Sequence, residues 1–389
     1  MKQIRDVVVV AYGRSPITRA TRGKLSTERP TKFATEVLKG VLARVEKLPL
    51  NLIDDVIVGC AMPEDVQGLN VARIISQKAG IPNSASAMTI NRFCSSGLQS
   101  IALGANAIMA HQADVVVAGG VESMTMCPMS VVDLTVIDPG LKTTNPLVYT
   151  PMGMTAEMVA AQYGVTRTQM DEFAVESHQK AHKAQSSGAF EKEIIPVTYT
   201  DQEGKSQTLT EDDGIRTDNT VESLSKVNPA FKEDGGLCTA ANSSPMNDGA
   251  AFVVLMSAEK AKELDIKPIA KYLGYTTHGC SPIVMGMGPV EAVPKLMKMI
   301  DMTVDQFDVI ELNEAFAAQA IPCIDQLKLD RTKVNPRGGA LALGHPLGAT
   351  GAILTCKALS YLEDTKGKYA LISMCIGGGM GAAGAFEML

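Results

Sequence analysis

Three short stretches of this chain carry residue types that could perform covalent chemistry. Cys94 lies in Thr89-Ile90-Asn91-Arg92-Phe93-Cys94-Ser95-Ser96-Gly97, where a short apolar run meets a turn of small residues. A cysteine at a helix N-terminus is held as the reactive thiolate by unpaired backbone N–H groups and the helix dipole. The same residue type in an apolar run also serves as a small buried hydrophobe. Cys375 ends the apolar run Tyr369–Cys375 beside Gly377-Gly378-Gly379, and a glycine cluster there lets backbone N–H groups face an oxyanion. Read alone, it better fits a packing cysteine at a strand end. His345 sits between Gly344 and Pro346, a position poor for core packing and good for projecting a base into a cleft. A turn histidine bonding to backbone is the plainer reading. Asn313 follows the apolar run Phe307–Leu312, where α/β sheets place ligand groups. It also suits the N-cap of a following helix, and both roles can hold together. His111, His178, His182 and His278 lie in polar or helical surroundings and read as ordinary.

Elements that alternate between strand and helix must position these groups. Strands are expected at Asp6–Ala11, Ile53–Cys60, Ala87–Asn91, Asp114–Ala118, Gly249–Leu255, Phe307–Asn313 and Tyr369–Cys375. Helices are expected at Thr31–Val45, Asn70–Gly80, Ser95–His111, Thr168–Gln185, Ser257–Leu264, Val290–Met299, Glu314–Lys328 and Leu347–Leu362. Such alternation predicts a mainly parallel sheet in an α/β fold. Residues 120–247 are polar and proline-rich and read as an inserted lobe that covers a site. The expected units are thus 1–119, 120–247 and 248–389. The two outer parts read as copies of one plan. Ile53–Cys60 matches Phe307–Glu314, Thr89–Leu98 matches Lys333–Leu343, and Asp114–Gly120 matches Tyr369–Gly377. Tyr369–Cys375 reads as the last strand the sheet needs.

The bulk numbers bound the function. The 389 residues are 46% hydrophobic and 20% charged, enough for two or three globular units. A net charge of −6 without a Lys/Arg-rich run gives no expectation of a nucleic-acid or membrane-surface partner. Eight cysteines lack C-x-x-C pairing, and with five histidines they form no zinc spacing, so no metal is expected. The charged start and the strand-length run Val7–Ala11 read as neither a signal peptide nor a membrane span. The expected location is therefore cytoplasmic, with reduced thiols. One motif is a decoy. Gly379-x-Gly381-x-x-Gly384 matches G-x-G-x-x-G, but too few residues follow it for the helix, second strand and acidic residue of a dinucleotide fold.

Taken together, several motifs resemble the thiolase family. They are Asn91–Gln99 with Cys94, Gly119–Met124, Asn242–Ala251, Asn313–Phe316, Gly338–Pro346 and Cys375–Gly381. The match runs from end to end in the family's order. The resemblance implies a five-layered αβαβα fold of two duplicated βαβαβαββ halves, with a loop domain inserted in the first. It implies that Cys94 is the nucleophile that becomes acylated, that His345 takes its proton, and that Cys375 is the second acid/base. Asn313, through a water, and His345 would form one oxyanion hole, and the N–H groups of Cys94 and Gly377 the other. By the same resemblance Arg216, Phe231, Ala240, Ser244, Met152 and Met285 would contact coenzyme A, and Ala315 and Phe316 would line the pocket.

Three departures bear on substrate. Pro151-Met152-Gly153 replaces the His-Met-Gly common in acetoacetyl-CoA-specific members. Cys94-Ser95-Ser96-Gly97 replaces Cys-Gly-Ser-Gly, and Asn335-Pro336-Arg337-Gly338 replaces Asn-x-Asn-Gly. They lean toward a degradative 3-ketoacyl-CoA thiolase of broader chain length. The alternatives are a biosynthetic acetoacetyl-CoA thiolase and a non-catalytic acyl-CoA- or lipid-binding protein on the same scaffold. The resemblance further implies coenzyme A and acyl-CoA as substrates with no permanently bound cofactor. It implies a homodimer or homotetramer, with association with other β-oxidation enzymes as a further expectation.

Overall fold

The computed structural model describes residues 4–129 and 137–389. The chain begins with β1 (Val7–Arg14), β2 (Thr18–Arg19), α1 (Pro30–Ala43), β3 (Asp55–Gly59), α2 (Val71–Ala79), β4 (Ser86–Ile90), α3 (Ser96–Met109) and β5 (Val115–Ser123). It then leaves the sheet through α4 (Pro139–Thr144), α5 (Met152–Tyr163), α6 (Arg167–Ser186), the hairpin β6 (Val197–Thr200) and β7 (Ser206–Leu209), and α7 (Val221–Ser225). It returns with β8 (Asn247–Ser257), α8 (Ala258–Glu263), β9 (Ala270–Gly279), α9 (Gly288–Ile300), β10 (Val309–Leu312), α10 (Ala317–Gln326), α11 (Ala340–Leu343), α12 (Leu347–Thr365), β11 (Tyr369–Ile376) and β12 (Met380–Met388).

The strand order β10-β11-β12-β9-β1-β8-β5-β3-β4 makes the duplication visible. In the first half β3 runs parallel to β4 and β5, and β5 pairs antiparallel with β8. In the second, β10 runs parallel to β11 and to a single bridge at Val334, and β11 pairs antiparallel with β12. The halves join where β1 meets β9, Val8 opposite Lys271 and Val9 opposite Ala270. Side-chain alternation divides each strand between two cores. On β8, Ala251, Val253 and Leu255 face the central core, while Phe252, Val254 and Met256 face an outer one with α1 and α2. On β11, Ile372 and Met374 face the centre and Leu371 faces a second outer core with α9 and α10. Helices α3 and α12 fill the central layer, packed on each other and on strands of both halves. The result is the expected five-layered αβαβα arrangement. The two central helices approach closely: a Cβ on Gly351 would stand 2.3 Å from the Leu98 nitrogen.

Local signals explain the ends of several elements. Asn70 caps α2 by accepting from the Arg73 N–H, and Gly80 ends it in a left-handed turn at φ 86°. Four expectations need correction. The sheet is mixed rather than mainly parallel: β3–β4, β3–β5 and β10–β11 pair parallel, while β1–β8, β1–β9, β5–β8, β9–β12 and β11–β12 pair antiparallel. Helix α10 starts at Ala317, not Glu314, because the Glu314 carboxylate is engaged elsewhere and Phe316 is extended, bridging Ser243. Tyr369–Ile376 is not the last strand: Gly378 and Gly379, both at positive φ, turn the chain into β12. β12 joins β11 to β9, so the apparent nucleotide motif Gly379–Gly384 lies in a turn and strand. Strand β9 was not anticipated, although its alternating burial carries a strand's period.

Candidate active site

Cys94 occupies a tight turn, Phe93–Ser95, between β4 and α3. Phe93 takes φ 43°, a left-handed conformation costly for a bulky residue. The turn is pinned on both sides: Arg92 N–H donates to Ser96 Oγ at 2.8 Å, and that hydroxyl donates to the Phe93 carbonyl at 2.7 Å. Ser95 Oγ meets the Tyr275 hydroxyl of β9 at 3.0 Å, tying the elbow to the second half. Cys94 is 3% exposed. Burial pushes its thiol up to about 11, while the backbone N–H groups of Gly377 and of Cys94 itself pull the other way.

His345 is built into the turn between α11 and α12. Its backbone N–H donates to Asn247 Oδ1 at 3.0 Å, and Asn247 Nδ2 donates to the Thr18 carbonyl. Its Nδ1 lies 2.7 Å from Thr350 Oγ1, whose hydroxyl donates to the Pro346 carbonyl at 3.0 Å. With that proton committed, Thr350 accepts from Nδ1–H, so the network assigns a bare lone pair to Nε2. Asn313 Nδ2 lies 3.3 Å from Nε2. Burial pushes the His345 imidazole down to about 4, so it stays neutral at pH 7. Leu347, two residues on, packs with Cys94 and Ala61. Gly344 makes the turn possible: it holds φ 113°, and a Cβ there would stand 2.2 Å from the Asn247 amide carbon. Gly344→Ala is expected to cost roughly 2–4 kcal/mol of stability and to lower turnover even where the protein folds. Thermal unfolding together with steady-state kinetics checks both, and an unchanged kcat would contradict the anchoring role of Asn247.

Asn313 follows β10, its N–H bonded to the Ser373 carbonyl at 2.9 Å. Asn335 brackets the residue before it, accepting from the Leu312 N–H and donating to its carbonyl and to Glu314 Oε1. Asn313 Oδ1 is buried without a partner, an acceptor free for a ligand or water. Cys375, on β11, is fully buried. Burial first, then the Cys94 and Cys323 sulfurs, holds its thiol well above the usual range. The two cysteines therefore face one site, both thiols raised by burial, with the Gly377 N–H at the Cys94 sulfur opposing that rise.

The other expected contacts divide. Met285 and Ala315 pack with Cys375, and Met152 and Phe316 close over them. Phe231 stands edge-on to Phe316, ring centroids 5.9 Å apart, and also lies against Gly153. Ser244 N–H donates to the Ala315 carbonyl at 3.0 Å. These residues form an apolar line from the surface to the cysteines. Ala240 is exposed at the tip of a turn held by Thr239 and Asn242, beside this line. Arg216 is exposed and does not join it. It lies on a segment whose Gly214 packs on α11, just before the His345 turn.

Several positioning residues escaped the sequence reading. Glu122 is buried and accepts from Ala61 N–H and Gly348 N–H, each at 2.8 Å, and from Gln67 Nε2 at 2.7 Å. It thereby ties the Cys60 loop of one half to the N-terminus of α12 in the other. A glutamate at the end of the all-apolar run Val115–Val121 was the available signal. Glu314 accepts from Ser177, Asn335 and the Leu341 N–H. Asn247 gave no signal beyond its place in the Asn242–Ala251 motif, and Thr350 gave none. Among the described residues, no cluster of His, Cys, Asp or Glu could hold a metal ion, and no helix is long and apolar enough to cross a membrane.

The N-terminal thiolase domain model matches residues 7–259, and the C-terminal thiolase domain model matches residues 266–388. The chain is 45% identical to a 3-ketoacyl-CoA thiolase of Bacillus subtilis, over 99% of this chain and 100% of that one. It is 43% identical to the peroxisomal 3-ketoacyl-CoA thiolase A of Mus musculus, over 98% and 91%. Among solved structures, the dimeric peroxisomal thiolase of Saccharomyces cerevisiae superposes with a TM-score of 0.92 at 39% identity, covering 100% and 99%. The acetyl-CoA acetyltransferase of Bacillus anthracis gives 0.92 at 37% identity, with both chains covered in full. With both domain models in chain order and relatives matched over nearly their whole length, the chain belongs to the thiolase family.

Proposed function

We propose that this protein cleaves 3-ketoacyl-CoA with coenzyme A, giving acetyl-CoA and an acyl-CoA shortened by two carbons, by way of an acyl-cysteine at Cys94. The observation that carries the reading is the convergence of two buried thiols with different surroundings. In the first step His345 Nε2 takes the Cys94 proton and the sulfur attacks the 3-keto carbonyl. The oxyanion that forms at this carbon is met by the N–H groups of Cys94 and Gly377, and the enolate oxygen that develops on the departing acetyl-CoA by His345, now a donor, and by Asn313 through a water. The C2–C3 bond then breaks. Its electron pair leaves as the carbanion of acetyl-CoA, which takes the Cys375 proton. A thiol held above its usual range is the form that a carbanion's proton donor must have. Coenzyme A, deprotonated by the Cys375 thiolate, attacks the acyl-Cys94 carbonyl. The N–H groups of Cys94 and Gly377 meet that second oxyanion, and Cys94 leaves as thiolate and takes back the proton held by His345. The apolar line of Met152, Met285, Phe231, Phe316 and Ala315 suits a pantetheine arm and acyl chain, with Ser244 and Ala240 at its edge. Residues 120–247 would act as the cover between the two duplicated halves, 1–119 and 248–389.

The reading is tested by incubation with acetyl-CoA and mapping of the adduct by mass spectrometry. An acetyl group on Cys94 is expected, and an adduct elsewhere, or none, would sink the assignment. Biosynthetic acetoacetyl-CoA condensation is the second reading, kept alive by the superposition on the Bacillus anthracis acetyltransferase. Rates on acetoacetyl-CoA against a long-chain 3-ketoacyl-CoA separate the two. A homodimer fits the β4 sheet edge, where Met88 and the nearby Leu69 and Phe93 are exposed. Eight free cysteines fit a reducing, cytoplasmic setting.

A further inference from the structure

His178 is a buried polar side chain that the chemistry above leaves unused. It lies on α6, is 4% exposed, and its Nδ1 accepts the backbone N–H of Arg216 at 3.0 Å. An imidazole that accepts at Nδ1 is neutral and carries its proton on Nε2. Its surroundings hold it so: burial first, then the Arg216 and Arg19 cations, push it down to about 4, with Asp218 opposing. Protonation there would remove the acceptor and add a third cation.

The backbone that His178 grips is anchored at every residue before Arg216 that bears on the site. Asp212 takes the Arg14 guanidinium at 2.8 and 2.9 Å and the Ile17 N–H at 2.7 Å. Asp213 accepts the Arg19 N–H at 2.8 Å, and Arg19 Nη2 donates to the Gly214 carbonyl at 3.0 Å. Gly214 packs on α11, where a Cβ would stand 2.6 Å from the Ala342 carbonyl. Beyond Arg216, Thr217 and Asp218 are exposed until Thr220 caps α7. His178 is thus the last fixed point before an exposed stretch, and it sets where Arg216 leaves the body of the protein. The Arg19 guanidinium, bonded to the Gly214 carbonyl two residues before Arg216, is near enough for its charge to oppose that of Arg216, and two cations held in one neighbourhood favour an anion. Thr18, next to Arg19, is tied through Asn247 to the His345 turn, so both arginines stand on segments that border the reacting groups.

We propose that His178 is a positioning residue for the phosphorylated end of the thioester substrate: as a neutral acceptor, it fixes Arg216 beside Arg19 so that the two guanidiniums receive a phosphate. The inference rests on the reading that this site takes coenzyme A thioesters. His178 touches no reacting atom, so it governs KM and leaves the chemical step alone.

The test compares the unaltered protein with His178→Ala, His178→Asn and Arg216→Ala. Each is assayed on a 3-ketoacyl-CoA and on the N-acetylcysteamine thioester of the same acid, which lacks the nucleotide. His178→Ala is expected to raise KM for the CoA substrate about tenfold with kcat held, the size of one lost positioning bond. Its kcat/KM on the N-acetylcysteamine thioester should match that of the unaltered protein. In His178→Asn the amide oxygen replaces Nδ1 as acceptor and should restore KM. Arg216→Ala, a change at an exposed side chain, keeps the test open should His178→Ala not fold, and should raise KM alike. An unchanged KM in His178→Ala or Arg216→Ala, an equal loss on both thioesters, or no rescue by asparagine would overturn the proposal. Turnover of neither thioester by the unaltered protein would overturn the parent reading, and this inference with it.

Discussion

Replacing Cys94 by serine is expected to slow 3-ketoacyl-CoA cleavage by roughly ten-thousandfold or more, with KM little changed. The elbow should survive, since serine is nearly isosteric and the turn is pinned by Ser96 and by the Ser95–Tyr275 contact rather than by the sulfur. What is lost is chemical. A hydroxyl ionises far less readily than a thiol, and an acyl-serine is a poorer donor to coenzyme A than an acyl-cysteine. Rapid-quench assay and mass spectrometry should find no acyl-enzyme, and turnover within tenfold of the unaltered protein would remove Cys94 from the mechanism. The surroundings also set a pH signature. With the Cys94 thiol pushed up to about 11, little free thiolate exists at pH 7. His345, pushed down to about 4, is neutral through the working range and available as a base. Alkylation of Cys94 by iodoacetamide should therefore change little with pH from 6 to 9 while His345 is present. In His345→Ala it should climb about tenfold per pH unit, as for an unassisted thiol below its pKa.

The parts of this site visible in the sequence are those whose residue type is unusual for its place. Cysteines at a strand–helix turn and at a strand end, a histidine between glycine and proline, and an asparagine closing an apolar run each break a local pattern. The duplication was legible because strand and helix periods repeat in order, and the register of β3–β5 and β10–β11 mirrors that repeat. Supporting contacts between residues far apart in sequence were not legible. Glu122 meets Gly348, 226 positions away, and Asn247 meets His345, 98 positions away; nothing local to either carboxylate or amide announces its partner. Strand β12 was missed for a different reason. Its run Gly381-Ala382-Ala383-Gly384-Ala385 has small residues on both faces, because β12 is packed on both sides, so period-2 alternation is erased. The nucleotide-loop likeness of that segment comes from the same small residues.

The Cys375→Ser variant separates the two halves of the proposed reaction, and its expected behaviour is asymmetric. In the proposed reaction, acylation of Cys94 from acetyl-CoA uses the nucleophile, His345 and the N–H pair of Cys94 and Gly377, none of which the substitution replaces. It should proceed to full occupancy. Cleavage of a 3-ketoacyl-CoA also needs a proton for the departing carbanion, and condensation needs that proton removed. A serine hydroxyl in this fully buried position supplies neither at a useful rate, so carbon–carbon bond making and breaking should fall by roughly a thousandfold or more. The backbone should hold, because Cys375 keeps its pairing with Gly381 whatever its side chain. The measurement is a pair: stoichiometry of acetyl-Cys94 by intact mass, and turnover of acetoacetyl-CoA with coenzyme A. Full acetylation with lost turnover would assign Cys375 to the proton transfer at carbon. Loss of both would place it instead in support of the nucleophile, whose sulfur lies near enough to help hold the Cys375 thiol up. Retention of both would leave proton delivery to some other group, and His345, with its bare Nε2 facing Asn313, would be the first to examine.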